Sequence, residues 1–493
     1  VNRLLPVLSA AAVRDAEHRY PQLLADGTLM QRAAHAVAAE CLAEFRDRGR
    51  IVGRHALLLV GSGDNGGDAL FAGAVLASRG VAVFALPLSG SMHAAGAEAL
   101  LQAGGRFVDV PGALALFDRI DLVLDGIVGL GSTRPLEGDA SLIARAIADA
   151  ELFTVAIDIP SGVHADTGAV AGVTIAADLT VTFGALRRAH VIVPAALRCG
   201  EVRIADIGVP MASDDVAITA TGHWFDPPAP KADKYARGVV GVVTGSLQYP
   251  GAALLSVRSA LRSGCGMVRY FGSARATVVI AHPEVVASEE RAIAAARCQA
   301  WAVGCGAGTD DDAATALAEV LMHEAPVVID ADAITLLSQD RHLRELVCSR
   351  GARGALTLLT PHAGELERIA GGLGLIVDLE ADRLGAVQAV ARELSVVVLL
   401  KGPSTLITDG ERLVATPLLG SQLATAGSGD VLAGLLAGAI ARWVAAGAFT
   451  RHDLLELAGA CALRHAAAAL RQDNTASDLL VGLEEAQSAT MAP

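Results

Sequence analysis

Thr425-Ala426-Gly427-Ser428-Gly429-Asp430 sets small, flexible residues, two hydroxyls and one carboxylate directly before an apolar run. Behind it Leu432, Leu436, Ile440 and Trp443 recur at helical spacing, so the small residues form a loop that opens a buried helix. The first N–H groups of a helix have no intrahelical partner, and the macrodipole adds partial positive charge there, which suits a phosphoryl group. Asp430 at that mouth either caps the helix or faces a reaction as a proton acceptor, and the loop alone does not choose.

Other polar groups stand at the ends of short apolar runs. His55-Ala56-Leu57-Leu58-Leu59-Val60 leads into Gly61-Ser62-Gly63-Asp64-Asn65-Gly66-Gly67-Asp68, and a helical pattern resumes at Ala69. Leu122-Val123-Leu124-Asp125 is followed by Gly126, Gly129 and Gly131, and Val155-Ala156-Ile157-Asp158 by Ile159-Pro160-Ser161-Gly162. In open parallel sheets ligands bind beyond the carboxyl ends of the strands, which makes Asn65, Asp125, Asp158 and Ser161 candidates. Turn chemistry explains Asp158 or Ser161 singly, since Asp and Ser favour loops, but explains less well why successive strands end alike.

The second half repeats the pattern. Strand ends follow at Gly304-Cys305-Gly306-Ala307-Gly308, Asp330-Ala331-Asp332, Thr360-Pro361-His362-Ala363-Gly364-Glu365 and Lys401-Gly402-Pro403-Ser404-Thr405. His362 alone carries little weight, because a helix start accepts a histidine without any catalytic role.

The elements that must position these groups are alternating strands and helices. At 493 residues the chain is long enough for two cores, and 53% hydrophobic with 19% charged residues indicates packed α/β domains. The stretch Met211 to Arg237, with Asp214-Asp215, Pro227-Pro228, Pro230, Lys231, Asp233 and Lys234, interrupts the alternation and is expected to be a linker or lid base. It separates residues 1–213 from 214–493.

A formal charge of −14 argues against nucleic acid and anionic membranes as general partners, leaving local donors to hold any small anion. Seven scattered cysteines without metal-ligand spacing read as reduced, mostly buried thiols. The uncharged run Val239 to Val257 is broken by Gly245, Gln248, Pro250 and Gly251, which suits strand, loop and helix better than a bilayer span. With no signal-peptide hydrophobic region near Arg3 to Arg19, the expected compartment is the cytoplasm.

Four motifs in order, Gly63 to Asp68, Val123-Leu124-Asp125-Gly126, Val155 to Gly162 and Asp178 to Gly184, resemble the NAD(P)H-hydrate epimerase domain over about residues 10 to 210. The resemblance implies a Rossmann-like three-layer sandwich that binds a hydrated nicotinamide dinucleotide and K+. By position Asn65, Asp125 and Ser161 would hold the ion, with Asp125 catalytic. Gly63, Asp64, Asn65, Gly66, Gly67, Asp68, Gly129, Leu130, Gly131, Ser132, Thr133, Arg134, Pro135 and Asp158 would meet the substrate. The chain departs from the family at Asp64 and Ala69, and Arg187 or Arg188 stands where the family often has lysine.

Ala-Gly-Ser-Gly-Asp, Thr-Pro-His-x-Gly-Glu and Lys-Gly-Pro-Ser-Thr together resemble the ribokinase-like NAD(P)H-hydrate dehydratase domain over about residues 225 to 490. Carried over, Lys401, Gly402, Pro403, Ser404, Thr405 and Gly429 would bind an adenine nucleotide, and Ala252, Gly308, His362 and Asp430 the hydrate, with Asp430 as general base. The departures here are Ala426 in the glycine loop and Cys305 and Ala307 in a loop that is Gly-Pro-Gly-Leu-Gly in the family. The fusion implies repair of NADH hydrate and NADPH hydrate with ADP, Mg2+ and K+, in a homo-oligomer. Two further readings stay open: a ribokinase-like vitamin-precursor kinase, and a nucleotide-sensing interaction protein.

Overall fold

The computed structural model describes residues 4–131, 133–226, 233–288, 293–470 and 475–485. Ser132 and the segment with Pro227, Pro228, Pro230 and Lys231 lie outside them. The chain forms two compact units, one of Leu5–Asp215 with Glu380–Arg383, the other built on Val216–Leu379 and the residues from Leu384 onward.

The first unit carries a seven-stranded parallel sheet in the order Arg106–Phe107, Ala82–Pro87, His55–Val60, Leu122–Gly126, Thr154–Ile157, Leu179–Phe183, Glu201–Ala205. Side chains alternate across it. Ala56, Leu58 and Val60 join the cluster under helices Thr28–Asp47 and Asp64–Ser78, while Leu57 and Leu59 pack with Ile143 and Ile147 of helix Gly138–Asp149. Two buried faces explain the near-continuous apolar strands and give the expected three layers. Chain order reverses between His55–Val60 and Leu122–Gly126, so a crevice opens where Asn65 follows one strand and Asp125 ends the next.

The helix after the glycine loop begins at Asp64, five residues before the resumption at Ala69 that hydrophobic periodicity indicates. Its first turn is hidden from that pattern because Gly66 and Gly67 carry no side chain: a Cβ on Gly66 would lie 2.1 Å from the Gly61 carbonyl oxygen. Asp64 to Asp68 are therefore on a rigid helix rather than a loop.

In the second unit seven strands run parallel in the order Val286–Ala287, Met267–Tyr270, Val239–Val243, Ala300–Val303, Val327–Ile329, Thr357–Leu359, Val397–Leu400. Antiparallel Leu406–Thr408 and Leu413–Ala415 extend the sheet. Within the stretch expected to be a linker, Val216–Ile218 is instead a strand paired with Leu413–Ala415, its Ile218 fully buried. Three apolar residues between acidic ones and prolines are too short a run to show period two.

Helices Pro250–Arg262 and Ser428–Ala446 pack at backbone contact. A Cβ on Gly434 would meet the Ser256 carbonyl oxygen at 2.1 Å, one on Gly438 would meet Ser263 Oγ at 2.2 Å, and the Ser259 hydroxyl donates to the Val431 carbonyl. Ser428–Ala446 is also long and apolar enough to cross a membrane, but 61% of that window is buried inside the unit. Among the described residues all seven cysteines are free, five of them buried.

Candidate active sites

In the first unit Asp125 ends its strand fully buried. Its Oδ1 accepts from Ser161 Oγ at 2.6 Å and from the Ile127 N–H at 3.3 Å, and its Oδ2 from the Ser161 N–H at 2.8 Å. Burial pushes its carboxyl up to about 6 against the pull of the Ser161 hydrogen bonds, and no charged side chain contributes. Ser161 Oγ accepts in turn from the Val128 N–H at 3.0 Å. Asn65 donates from Nδ2 to the Ile157 carbonyl at 2.7 Å, leaving Oδ1 as an acceptor against Gly129. A Cβ on Gly129 would lie 2.2 Å from that oxygen, so only glycine fits there.

Asp158 adopts a positive φ of 65°, a conformation that must be held by its surroundings. Thr182 Oγ1 donates to its carboxylate at 2.9 Å, Arg187 pairs with it at 3.0 Å, and His190 Nε2 donates to its carbonyl at 2.8 Å. Of the two arginines near the family's lysine position, Arg187 is the buried one at this site, whereas Arg188 pairs with Asp215. Beyond Gly129 the loop turns outward: Gly131, Thr133 and Arg134 are exposed, Leu130 and Pro135 half-buried, and Arg14 holds the Leu130 carbonyl at 3.2 Å.

In the second unit Gly427 takes φ 86° and starts helix Ser428–Ala446 without any side-chain cap. That left-handed turn is open to glycine at little cost. Asp430, third in the helix, is free of capping duty. It faces Asp330 and Cys305, and the three ligand-bearing atoms lie within 4.8 Å of one another. Burial first, then the Asp330 charge, pushes Asp430 up to about 6, with Cys305 and Lys401 pulling the other way.

Lys401 reaches into the same place. Its Nζ lies 2.8 Å from Asp330 Oδ1 and 3.8 Å from Glu365 Oε2. Burial works against the ammonium, yet the two carboxylates hold its pKa above the ordinary value. A Cβ on Gly429 would sit 3.4 Å from Nζ, so the first turn of helix Ser428–Ala446 lies over this lysine. The rest of the Lys401 to Thr405 run divides: Gly402 and Pro403 are exposed, Ser404 and Thr405 buried, and the Thr405 N–H is committed to Thr416 Oγ1 at 2.9 Å.

Ala252 lies in the first turn of helix Pro250–Arg262 beside the Gly304 to Gly308 loop, and the Gly308 N–H donates to Asp332 at 2.9 Å. His362 is a helix cap: its Nδ1 accepts from the Glu365 N–H at 3.3 Å while Glu365 accepts from the His362 N–H at 2.9 Å. Its ring remains largely exposed, with Nε2 3.4 Å from Glu365 Oε1.

Four groups at these sites are assigned no role by the sequence motifs: Asp330, Asp332 and Glu365, which stand at quoted strand ends, and Glu17, which stands at none. Asp330 ends a strand as Asp125 does, and the same rule finds it. Ala331 between the two aspartates has φ 50°, a strained position that no sequence pattern announces. Glu17 belongs to helix Ala10–His18, remote in sequence, and meets the Asp158 and Asp64 charges only in the fold.

Residues 240–488 match the family model for NAD(P)H-hydrate dehydratase, and residues 26–189 that for the YjeF-related protein N-terminus. A bifunctional NAD(P)H-hydrate repair enzyme of Mycobacterium tuberculosis is 42% identical over 446 residues, covering 89% of this chain and 90% of that protein. One of Corynebacterium glutamicum is 37% identical over 510 residues, covering 89% and 87%. An ADP/ATP-dependent NAD(P)H-hydrate dehydratase structure from Bacillus subtilis aligns at TM-score 0.43 and 24% identity, covering 54% of this chain and 97% of that one.

Proposed function

The chain belongs to the family of bifunctional NAD(P)H-hydrate repair enzymes, and from that premise we propose a division of labour between its two sites. Residues 1–213 epimerise the R and S hydrates of NADH and NADPH. Residues 214–493 dehydrate the S form at the expense of ADP, giving NAD(P)H, AMP and phosphate. The carrying observation is Asp430, uncapped and unpaired with any helix N–H, held beside Lys401 and Asp330 where the Ser428–Ala446 helix begins.

A hydrated nicotinamide carries a hydroxyl next to the ring nitrogen, and hydroxide leaves poorly at neutral pH. Asp430 takes the hydroxyl proton as the oxygen attacks the terminal phosphoryl group. The Gly427 and Gly429 N–H groups hold the charge that gathers on the phosphoryl oxygens, with Lys401 below them, while the Ser428 N–H is given to the Thr425 carbonyl at 3.3 Å. The ring nitrogen's electron pair then expels phosphate, and loss of a proton from the adjacent carbon restores the dihydropyridine. The oxygens of Asp330 and Asp430 suit a hard ion such as Mg2+ and the sulfur of Cys305 does not, so those two carboxylates would hold it, and it would supply positive charge against the nucleotide's phosphate oxygens.

K+ fits the first site on one physical ground. Asp125 is a fully buried carboxylate with no cationic side chain against it among the described residues; Ser161 Oγ lies against it, and the Asn65 Oδ1 lies against Gly129 in the loop that follows its strand. Those three residues would hold the ion, which supplies a fixed positive charge for the dinucleotide. Cytoplasmic residence and a homo-oligomer belong to the same proposal.

The deciding assay supplies hydrated NADH with each nucleotide and follows dihydronicotinamide absorbance. Recovery should require ADP and Mg2+, with phosphate released. Turnover on ADP-free ATP but not on ADP overturns the nucleotide assignment, and phosphate retained on an accumulating product favours the kinase reading.

Dehydration should also fall away as the pH drops below about 6, because only ionised Asp430 accepts a proton and its carboxyl is pushed up to about 6. A kcat/KM profile flat from about pH 5 to 7 removes Asp430 as the base.

Asp125 gives a second pH effect. Its pKa is raised in the fold to about 6, so its contribution to stability is complete below the unfolded carboxylate pKa of 3.8 and is lost as the pH rises through about 6. Bound K+ opposes that loss. Replacing tetramethylammonium by K+ should raise the Tm of the first unit at pH 8 and leave it unchanged at pH 5; equal shifts at both pH values exclude this carboxylate as the ligand.

A further inference from the structure

Asp68 is a site residue of the first unit whose carboxyl the K+ reading leaves unused. It is 6% exposed, and its Oδ1 has no hydrogen-bond partner among the described residues. An orphaned carboxyl oxygen in a buried place is costly unless something visits it. Asn65 and Asp68 stand three apart on helix Asp64–Ser78, so they share a face. Asn65 donates to the Ile157 carbonyl at the end of the neighbouring strand, and Asp68 lies within reach of the Asp158 charge one residue further on.

The charges around it make the carboxylate form unwelcome. Burial comes first, then the carboxylates of Asp64, Asp158 and Glu17, and together they hold Asp68 well above the usual carboxylate range. Arg187, whose charge is felt by Glu17, is committed to Asp158 at 3.0 Å and donates further to the Ala185 and Phe183 carbonyls. Asp68 thus stands at the switch-point crevice as a neutral acid with a vacant oxygen, while Asp125 and Asp158 are tied down by hydrogen bonds or an ion pair.

We propose that Asp68 is the acid–base residue of epimerisation, giving its proton to the hydrate hydroxyl as it departs and taking one back from the water that returns to the opposite face. The inference rests on the epimerase reading of this unit. In the forward step the C–O bond at the hydrated carbon breaks, the ring-nitrogen electron pair forms C=N, and the Asp68 proton leaves with the oxygen as water. In the return step solvent water adds to that carbon from the other side, the C=N electrons go back to nitrogen, and a water proton restores the Asp68 carboxyl. No redox partner enters. An acid that donates and then accepts suits a reaction whose two directions are alike.

The test uses the full chain with an epimer mixture enriched in one form, no nucleotide, and 18O-labelled water. Wild type should place one 18O in each newly formed epimer. Asp68→Asn should slow epimerisation by roughly a hundredfold to ten-thousandfold, while ADP-driven recovery of NADH from the accepted epimer stays at the wild-type rate and shows that the chain is folded. Asp68→Ala should be equally slow and regain part of its rate with added formate, which a residue of purely structural role would not do. Epimerisation by Asp68→Asn within twofold of wild type, epimerisation without 18O uptake, or no formate rescue overturns the assignment. Failure of the wild-type chain to epimerise at all overturns the reading beneath it instead.

Discussion

Asp430→Asn should lower ADP-dependent recovery of NADH by roughly a hundredfold to ten-thousandfold, the usual worth of a positioned base. The amide keeps the size of the side chain and its place in the first helical turn, and removes only the ability to take a proton. Stability should hold or rise, because the native carboxylate is crowded by Asp330 and pushed up to about 6, a sign that its ionised form is disfavoured there. Activity lost with Tm kept is the pattern of a functional group held against its own preference. The measurement pairs initial rates with thermal melts and, with nucleotide omitted, with epimerisation, which should proceed as in wild type. A variant within tenfold of wild type would leave Asp430 as filling for the helix mouth, and the base would have to be sought elsewhere.

The complementary result is expected from Asp125→Asn: epimerisation falls by a similar factor, roughly a hundredfold or more, while dehydration of the accepted epimer is untouched. Asn cannot neutralise a cation, and its NH2 faces the Ser161 N–H or hydroxyl, donors that now contact Asp125 at 2.8 and 2.6 Å. Supplied with an unequal epimer mixture and ADP, this variant should consume one epimer and leave the other apart from slow spontaneous exchange. The pH-dependent response of Tm to K+ should vanish with it. Normal epimerisation by the variant would make the carboxylate structural and would break the carry-over from the family at that residue.

The strand ends were legible because buried parallel strands are continuous apolar runs, and each stops at a glycine-bearing loop that sequence displays directly. Asn65, Asp125, Asp158, Ser161, Lys401 and Asp430 all fall at such places. Less visible was anything that depends on what faces what. The helix start at Asp64 hid behind two glycines, and Val216–Ile218 was too short to show its period. Whether Asp430 caps its helix or faces a reaction, and which of Arg187 and Arg188 turns inward, are rotational questions that only the fold answers. Asp330 had the same sequence signal as Asp125; its importance came from Lys401, 71 residues later, closing on it at 2.8 Å.

The backbone contact between helices Pro250–Arg262 and Ser428–Ala446 bears on how this enzyme could be redesigned. Ala252, assigned to the hydrate, and Asp430, assigned to the hydrate's hydroxyl as its base, ride on two rods that approach to backbone distance at Gly434 and Gly438. Gly434 lies against the Ser256 carbonyl and Gly438 against Ser263 Oγ, which leaves little to trim between the rods, so neither can be slid to admit a bulkier substrate while the other stays in register. A directed-evolution campaign toward other hydrated heterocycles should therefore find its gains in the loops at Gly304 to Gly308 and at His362, and find that any larger residue at position 434 or 438 is lethal to selection whatever substrate is offered.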